Sequence, residues 1–195
     1  MSLDIVKQFN WVDIFFIILL ARICYISGHT GLPVEIFKLL GSVAALYLSF
    51  QYSSALGNWV AGFWHLTQEN SRWVILQVFS FLFLGILGYA AFLLLRIVFY
   101  RFMKMEAVPH LNRWGGVALG CIRVFILSGM IFVLLLVSNI SYFRKSVAAS
   151  TSGKYLALAS ISIYKGLLNG LTSKFMPAEK LNDRILKLQE DLNKK

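Results

Sequence analysis

Four long apolar runs divide the chain: Trp11 to Ser27, Pro33 to Tyr52, Trp73 to Tyr100 and Gly115 to Ile140. The hydrocarbon core of a bilayer takes roughly 20 apolar residues per helix, so each run predicts a transmembrane helix. The first is short for a span. The third, whose strongly polar members are Gln77 and Arg96, is long enough to tilt or to reach past the headgroups. The first connection is only "GHTGL", which predicts a tight antiparallel hairpin whose glycines supply the positive φ angles of a narrow turn. The second carries Trp59, Phe63 and Trp64, with Trp73 just beyond, and is expected to lie along the headgroup layer, where aromatic side chains concentrate. The third, "RFMKMEAVPHLNR", is basic, with Arg101, Lys104 and Arg113 against Glu106.

Beyond the fourth run the pattern changes, and the chain divides into a four-helix transmembrane domain, residues 1–145, and a linker with an amphipathic tail, residues 146–195. "SYFRKSVAASTSGK" is polar and small, as linkers are. "YLALASISIYKGLLNGL" is apolar but broken by Lys165, Gly166 and Gly170, which predicts an interfacial segment and not a fifth span. Pro177 then opens a helix on which Leu181, Ile185, Leu188 and Leu192 form one apolar stripe among charges. That stripe is expected to pack on the membrane surface, on the body of the protein or on a second copy. The fold class is therefore all-α: a polytopic membrane protein of four transmembrane helices with a C-terminal amphipathic helical tail.

Composition supports a bilayer as the solvent. Hydrophobic residues make up 58% of the chain and aromatics 15%, with a mean hydropathy of +0.69, more than a water-soluble core requires. The formal net charge is +10, but the cations are scattered without the pattern of a nucleic-acid face, so the expected partner is a bilayer with anionic headgroups and no nucleic acid. Cys24 and Cys121 lie in apolar runs without metal-ligand spacing. His29, His65 and His110 fall in three different connections, and the pairing of His65 with Glu69 lacks the rest of a metalloprotease motif. With no nucleophile elbow, P-loop or dinucleotide fingerprint, the chain reads as a non-enzyme with no catalytic, metal or cofactor site.

Charge also orients the chain. Near the first and third connections lie Arg22, Lys38, Arg96, Arg101, Lys104, Arg113 and Arg123, against Lys7, Arg72, Arg144 and Lys145 near the opposite ends. The positive-inside bias then sets the first set in the cytoplasm and both termini outside, although the basic tail argues the other way. The start of the first run, with Asp4 and Lys7, and its end in "ISGHTG" do not resemble a cleavable leader.

The polar residues inside the runs leave two readings. Glu35 and Lys38 suit a helix-start charge and an interfacial anchor, since Pro33 fits the first position of a helix and a carboxylate favours its positive end. Alternatively Arg22, Glu35, Arg96 and Arg123 form a polar cluster that lines a cavity or binds an anionic headgroup or substrate. Asp13 reads as a second helix-start residue. Gly41, Ala45 and Ser49 recur every four residues, and Gly116 with Gly120 forms a GxxxG, so both faces allow close helix approach, within the bundle or in a dimer.

Two segments carry a resemblance. "VDIFFIILLARICYISGHTGLPVEIFKLLGSVAALYLS", with Asp13, Gly31, Glu35 and Gly41, resembles the first hairpin of the colicin V production protein (CvpA) family. "LNRWGGVALGCIRVFILSG", with Arg113, Gly116, Gly120 and Arg123, is similar to that family's third loop and fourth helix, with Asn112 where aspartate is usual and Val124 where a glycine often stands. The resemblance covers roughly residues 11–140. It implies a four-span bacterial inner-membrane protein associated with colicin V-type toxin production and envelope homeostasis, and an external C-terminus. Two functions follow from it and from the residues: a membrane scaffold or assembly factor with unknown protein partners, or a small oligomeric transporter or channel built around the cytoplasmic-side arginines.

Overall fold

The computed structural model describes residues 10–65, 71–102, 109–172 and 181–193. Among the described residues seven α-helices follow one another: α1 Trp11–Thr30, α2 Leu32–Phe63, α3 Ser71–Phe102, α4 Pro109–Val137, α5 Ser141–Ala149, α6 Thr151–Leu167 and α7 Asp183–Asn193. A π-helical turn, Leu168–Thr172, ends α6. Among the described residues there is no strand, and α1 to α4 are each long and apolar enough to cross a membrane. The helices run longer than the apolar runs that predict them. The second connection is the clearest case: α2 continues unbroken through Trp59 to Phe63, so the aromatic segment expected to lie as a loop is largely the last three turns of a spanning helix. Asp4, Lys7, Glu69, Lys104, Glu106 and Pro177, which enter the expectations above, lie outside the described residues.

Packing follows from small residues on the facing sides. On α2 the stripe Gly41, Ala45, Ser49 lies against α3, where a Cβ on Gly88 would fall 2.9 Å from the Ala45 Cα and one on Gly41 would fall 3.2 Å from Phe92 and Tyr89 side-chain atoms. Ser49 Oγ donates to the Phe81 carbonyl at 3.0 Å, satisfying a hydroxyl that hydrocarbon cannot. On α4, Gly116 and Gly120 receive Ser27 of α1: a Cβ at Gly116 would sit 2.6 Å from the Ser27 carbonyl oxygen. The GxxxG thus serves the bundle. Large apolar side chains, including Ile18, Ile86, Leu94 and Phe79, point outward and are exposed. That arrangement would be a liability in water and is the expected surface in lipid.

The tail closes one end. α6 meets α1 where Gly153 abuts Val12, α4 where Gly129 abuts Leu156 and Ser160, and α2 where the Tyr164 ring lies 5.6 Å from that of Phe50. α6 therefore packs against three of the four long helices at once. α7 docks beside it: Asn182 Nδ2 donates to the Phe50 carbonyl at 2.7 Å and Arg184 Nη2 to the Val137 carbonyl at 3.1 Å. The stripe Ile185, Leu188 and Leu192 is buried. Of the three surfaces open to the tail stripe, the body of the protein receives it. This is the cap end of the bundle; at the other, the turn end, Gly31 joins α1 to α2.

Candidate functional site

At the turn end a single residue, Gly31, separates two helices. Its φ of 83° belongs to the region that favours glycine. The Asn112 side chain lies over it, so close that a Cβ on Gly31 would fall 2.5 Å from Asn112 Oδ1, and Oδ1 accepts the Leu32 N–H at 2.7 Å. Asn112 therefore supplies from α4 the cap that the first turn of α2 lacks in its own sequence. A carboxylate here would accept the same bond.

One turn further along α2, Glu35 is fully buried. Lys38 Nζ lies 2.7 Å from its Oε1, Thr30 Oγ1 donates to the same oxygen at 2.6 Å, and Arg123 Nη1 of α4 lies 2.7 Å from Oε2. Arg123, only 5% exposed, makes this contact as an ion pair without an aligned hydrogen bond, and its Nε has no partner. Ionised groups at this depth are tolerated only when paired, and here one carboxylate of α2 gathers the last turn of α1, its own helix and α4. Tyr89 of α3 lies within the field of Glu35, Arg123 and Arg96.

The other expected residues are placed as follows. Arg22 is exposed on the outer face of α1 and stands apart from Glu35. Arg96 is half-buried; the contacts of Gly88 with Ala45 and of Gly41 with Phe92 set an antiparallel register that puts it level with Ile36 and Phe37. It makes no ion pair among the described residues. Arg113 is exposed at the turn end beside His110 and Trp114. Gly31, Gly41, Gly116 and Gly120 are contact points between helices. Thr30, Lys38 and Asn112 complete the site. Of these, Lys38 is legible as the neighbour three residues from Glu35, Asn112 only as the position where the family it resembles usually has aspartate, and Thr30 carries no sequence signal.

Asp13 does more than start α1. It accepts the Asn10 N–H at 3.3 Å, and it also accepts Ser150 Oγ at 2.7 Å, the Ser152 N–H at 3.0 Å and the Ser152 hydroxyl. Ser150 is the residue that caps α6, so one carboxylate serves the positive ends of two helices. It ties the first span to the cap.

The fold and the buried pair together define an all-α polytopic membrane protein whose intramembrane carboxylate is held by cations of its own chain. The family model of the colicin V production protein matches residues 12–160, and the chain belongs to that family. No curated protein and no solved structure matches it.

Proposed function

We propose that this chain is a scaffold or assembly factor of the bacterial inner membrane, serving production of a colicin V-type toxin and envelope homeostasis, with both termini on the external side. What supports the reading over transport is the enclosure of Glu35 by Lys38, Thr30 and Arg123. From there to the cap end Leu46, Phe50, Phe81, Phe132 and Val133 pack the centre of the bundle, and the buried hydroxyls of Ser42 and Ser49 along α2 are spent on the Lys38 and Phe81 carbonyls. At the cap, α7 presents exposed Asp183, Lys187, Glu190 and Asp191. Those residues are the contact surface for a partner.

The test compares the full chain with one ending at residue 172 in a strain that lacks the protein and makes such a toxin. The full chain should restore toxin export, and the shortened one should insert in the membrane but fail to restore it. Equal restoration by both would overturn the reading. Flux above empty-vesicle controls, lost in Arg123→Gln, would replace it with transport. Orientation is read from a cysteine at position 154, which should react with an impermeant reagent from outside the cell.

A further inference from the structure

On α1 the residues Ile14, Ile18, Ala21 and Tyr25 are exposed and follow a spacing of four, three and four, the stripe by which one helix seats on another. Ala21 lets a second backbone come close. The stripe faces away from α4, which α1 meets through Phe16 and Ser27, and α1 is the least buried of the four spans. Beside the stripe, and also exposed, stands Arg22, which makes no ion pair among the described residues. Its depth is fixed. α1 has 20 residues, about 30 Å at 1.5 Å per residue, which is the thickness of the hydrocarbon core. On that scale Arg22 lies about 16 Å from Trp11 and about 12 Å from Thr30. α1 is held at both ends: Asp13 is bonded to Ser150 and Ser152 of the cap, and at the turn Gly31 lies under Asn112.

At this level of the bundle the structure shows what an arginine takes. Cys24 of α1 lies against Cys121 of α4 and the two helices are antiparallel, so two residues toward the cap on each, Arg22 is level with Arg123. Arg123 turns inward and holds Glu35 Oε2 of a neighbouring helix at 2.7 Å. Arg22 turns outward, where hydrocarbon tolerates an ionised group only beside a counter-charge. The headgroups are poorly placed to give one. Helix side chains lean toward the helix N-terminus, which for α1 is the cap end and the farther surface. Toward the nearer surface the same face carries Tyr25 and His29, ring to ring at 4.8 Å. A second copy has no anion to spare either, because the carboxylates of its described spans, Asp13 and Glu35, are both engaged. We propose that the outer face of α1 docks a transmembrane helix of another membrane protein, seated on Ile14, Ile18, Ala21 and Tyr25 and bearing a carboxylate at the depth of Arg22. Such a partner rests on the scaffold role proposed above and adds to it a contact inside the membrane.

The experiment measures energy transfer, in phosphatidylcholine vesicles, between the labelled full-length chain and a labelled synthetic Leu–Ala transmembrane helix with one glutamate at its centre. The control helix carries glutamine there. Wild type should bind the glutamate helix about threefold or more tightly than the control. Arg22→Gln, at an exposed position, should keep wild-type helicity and elution volume and bind both helices alike. Ala21→Trp, which keeps the charge and blocks the stripe, should weaken both. Equal binding of the two helices by wild type, a preference that survives in Arg22→Gln, or binding undiminished in Ala21→Trp would each overturn the proposal. A preference that disappears when phosphatidylglycerol replaces half of the lipid would overturn it by assigning Arg22 to a lipid phosphate, and self-association that Arg22→Gln removes would do so by assigning it to a second copy. Toxin export does not enter the measurement, so failure here leaves the scaffold role to its own test.

Discussion

Arg123 of α4 and Glu35 of α2 meet at 2.7 Å with 5% and 0% of their side chains exposed, and Lys38 meets the other oxygen of the same carboxylate at 2.7 Å. The arrangement is asymmetric, with one anion between two cations. Removing one partner of a buried pair costs about 3–5 kcal/mol, because the other charge is left uncompensated. Glu35→Gln strands two cations, whereas Arg123→Gln leaves Glu35 with Lys38 and Thr30. Thermal unfolding of the purified protein in detergent should therefore rank Glu35→Gln below Arg123→Gln. The opposite order would mean that Glu35 is not the shared centre.

Asn112 tests whether the turn end needs an acceptor or a charge. Asn112→Asp keeps the bond to the Leu32 N–H and adds a negative charge at the start of α2, so its midpoint should equal or exceed wild type. Asn112→Leu loses the cap and should cost about 1 kcal/mol. A similar loss in both variants would show that the amide group itself is required.

These sites mark where sequence reading stops. The four spans are legible because hydrocarbon imposes a length and a composition on each one separately. Lys38 beside Glu35 is legible because a helix brings residues three apart together. Asp13 is legible only as a helix start: its bonds to Ser150 and Ser152 depend on where α6 crosses the bundle, which no local pattern records. The continuation of α2 to Phe63 is hidden because tryptophan and phenylalanine suit an interfacial loop and the last turns of a helix equally. The three arginines of the expected cluster, Arg22, Arg96 and Arg123, share a depth but not a direction. Depth follows from counting residues, whereas the face each presents depends on neighbours, and so Arg123 turns inward and Arg22 outward.

Glycines on the two sides of the bundle should respond in opposite ways. A Cβ at Gly116 meets the Ser27 backbone at 2.6 Å, and backbone cannot rotate away, so Gly116→Ala should cost about 1–3 kcal/mol by overpacking. At Gly120 the Ser27 hydroxyl can turn aside, but the Ser27 Cβ, 2.5 Å from the added Cβ, is fixed to the backbone and cannot, so Gly120→Ala should cost at least as much. Gly166 has open space around it, and Gly166→Ala should stabilise α6 by about 0.5–1 kcal/mol. The check is the midpoint of unfolding for all three; a neutral Gly116→Ala would refute the α1–α4 contact.

The same contact makes a covalent prediction. α1 and α4 run antiparallel with Ser27 against Gly116 and Gly120, and that register brings Cys24 of α1 to Cys121 of α4, with sulfur atoms 3.0 Å apart. Both residues are free thiols. Copper–phenanthroline with dioxygen as electron acceptor should remove two protons and two electrons from the pair and join the sulfurs within one chain. The product should be a monomer that migrates faster on a non-reducing gel and reverts with dithiothreitol, and Cys24→Ser should abolish it. Closing a loop between residues 97 positions apart should also raise the unfolding midpoint, with a stabilisation of up to about 4.7 kcal/mol in the chain-entropy limit. Formation of disulfide dimers in place of the compact monomer would place the two cysteines on outer faces of the bundle and break the α1–α4 register on which the turn-end site depends.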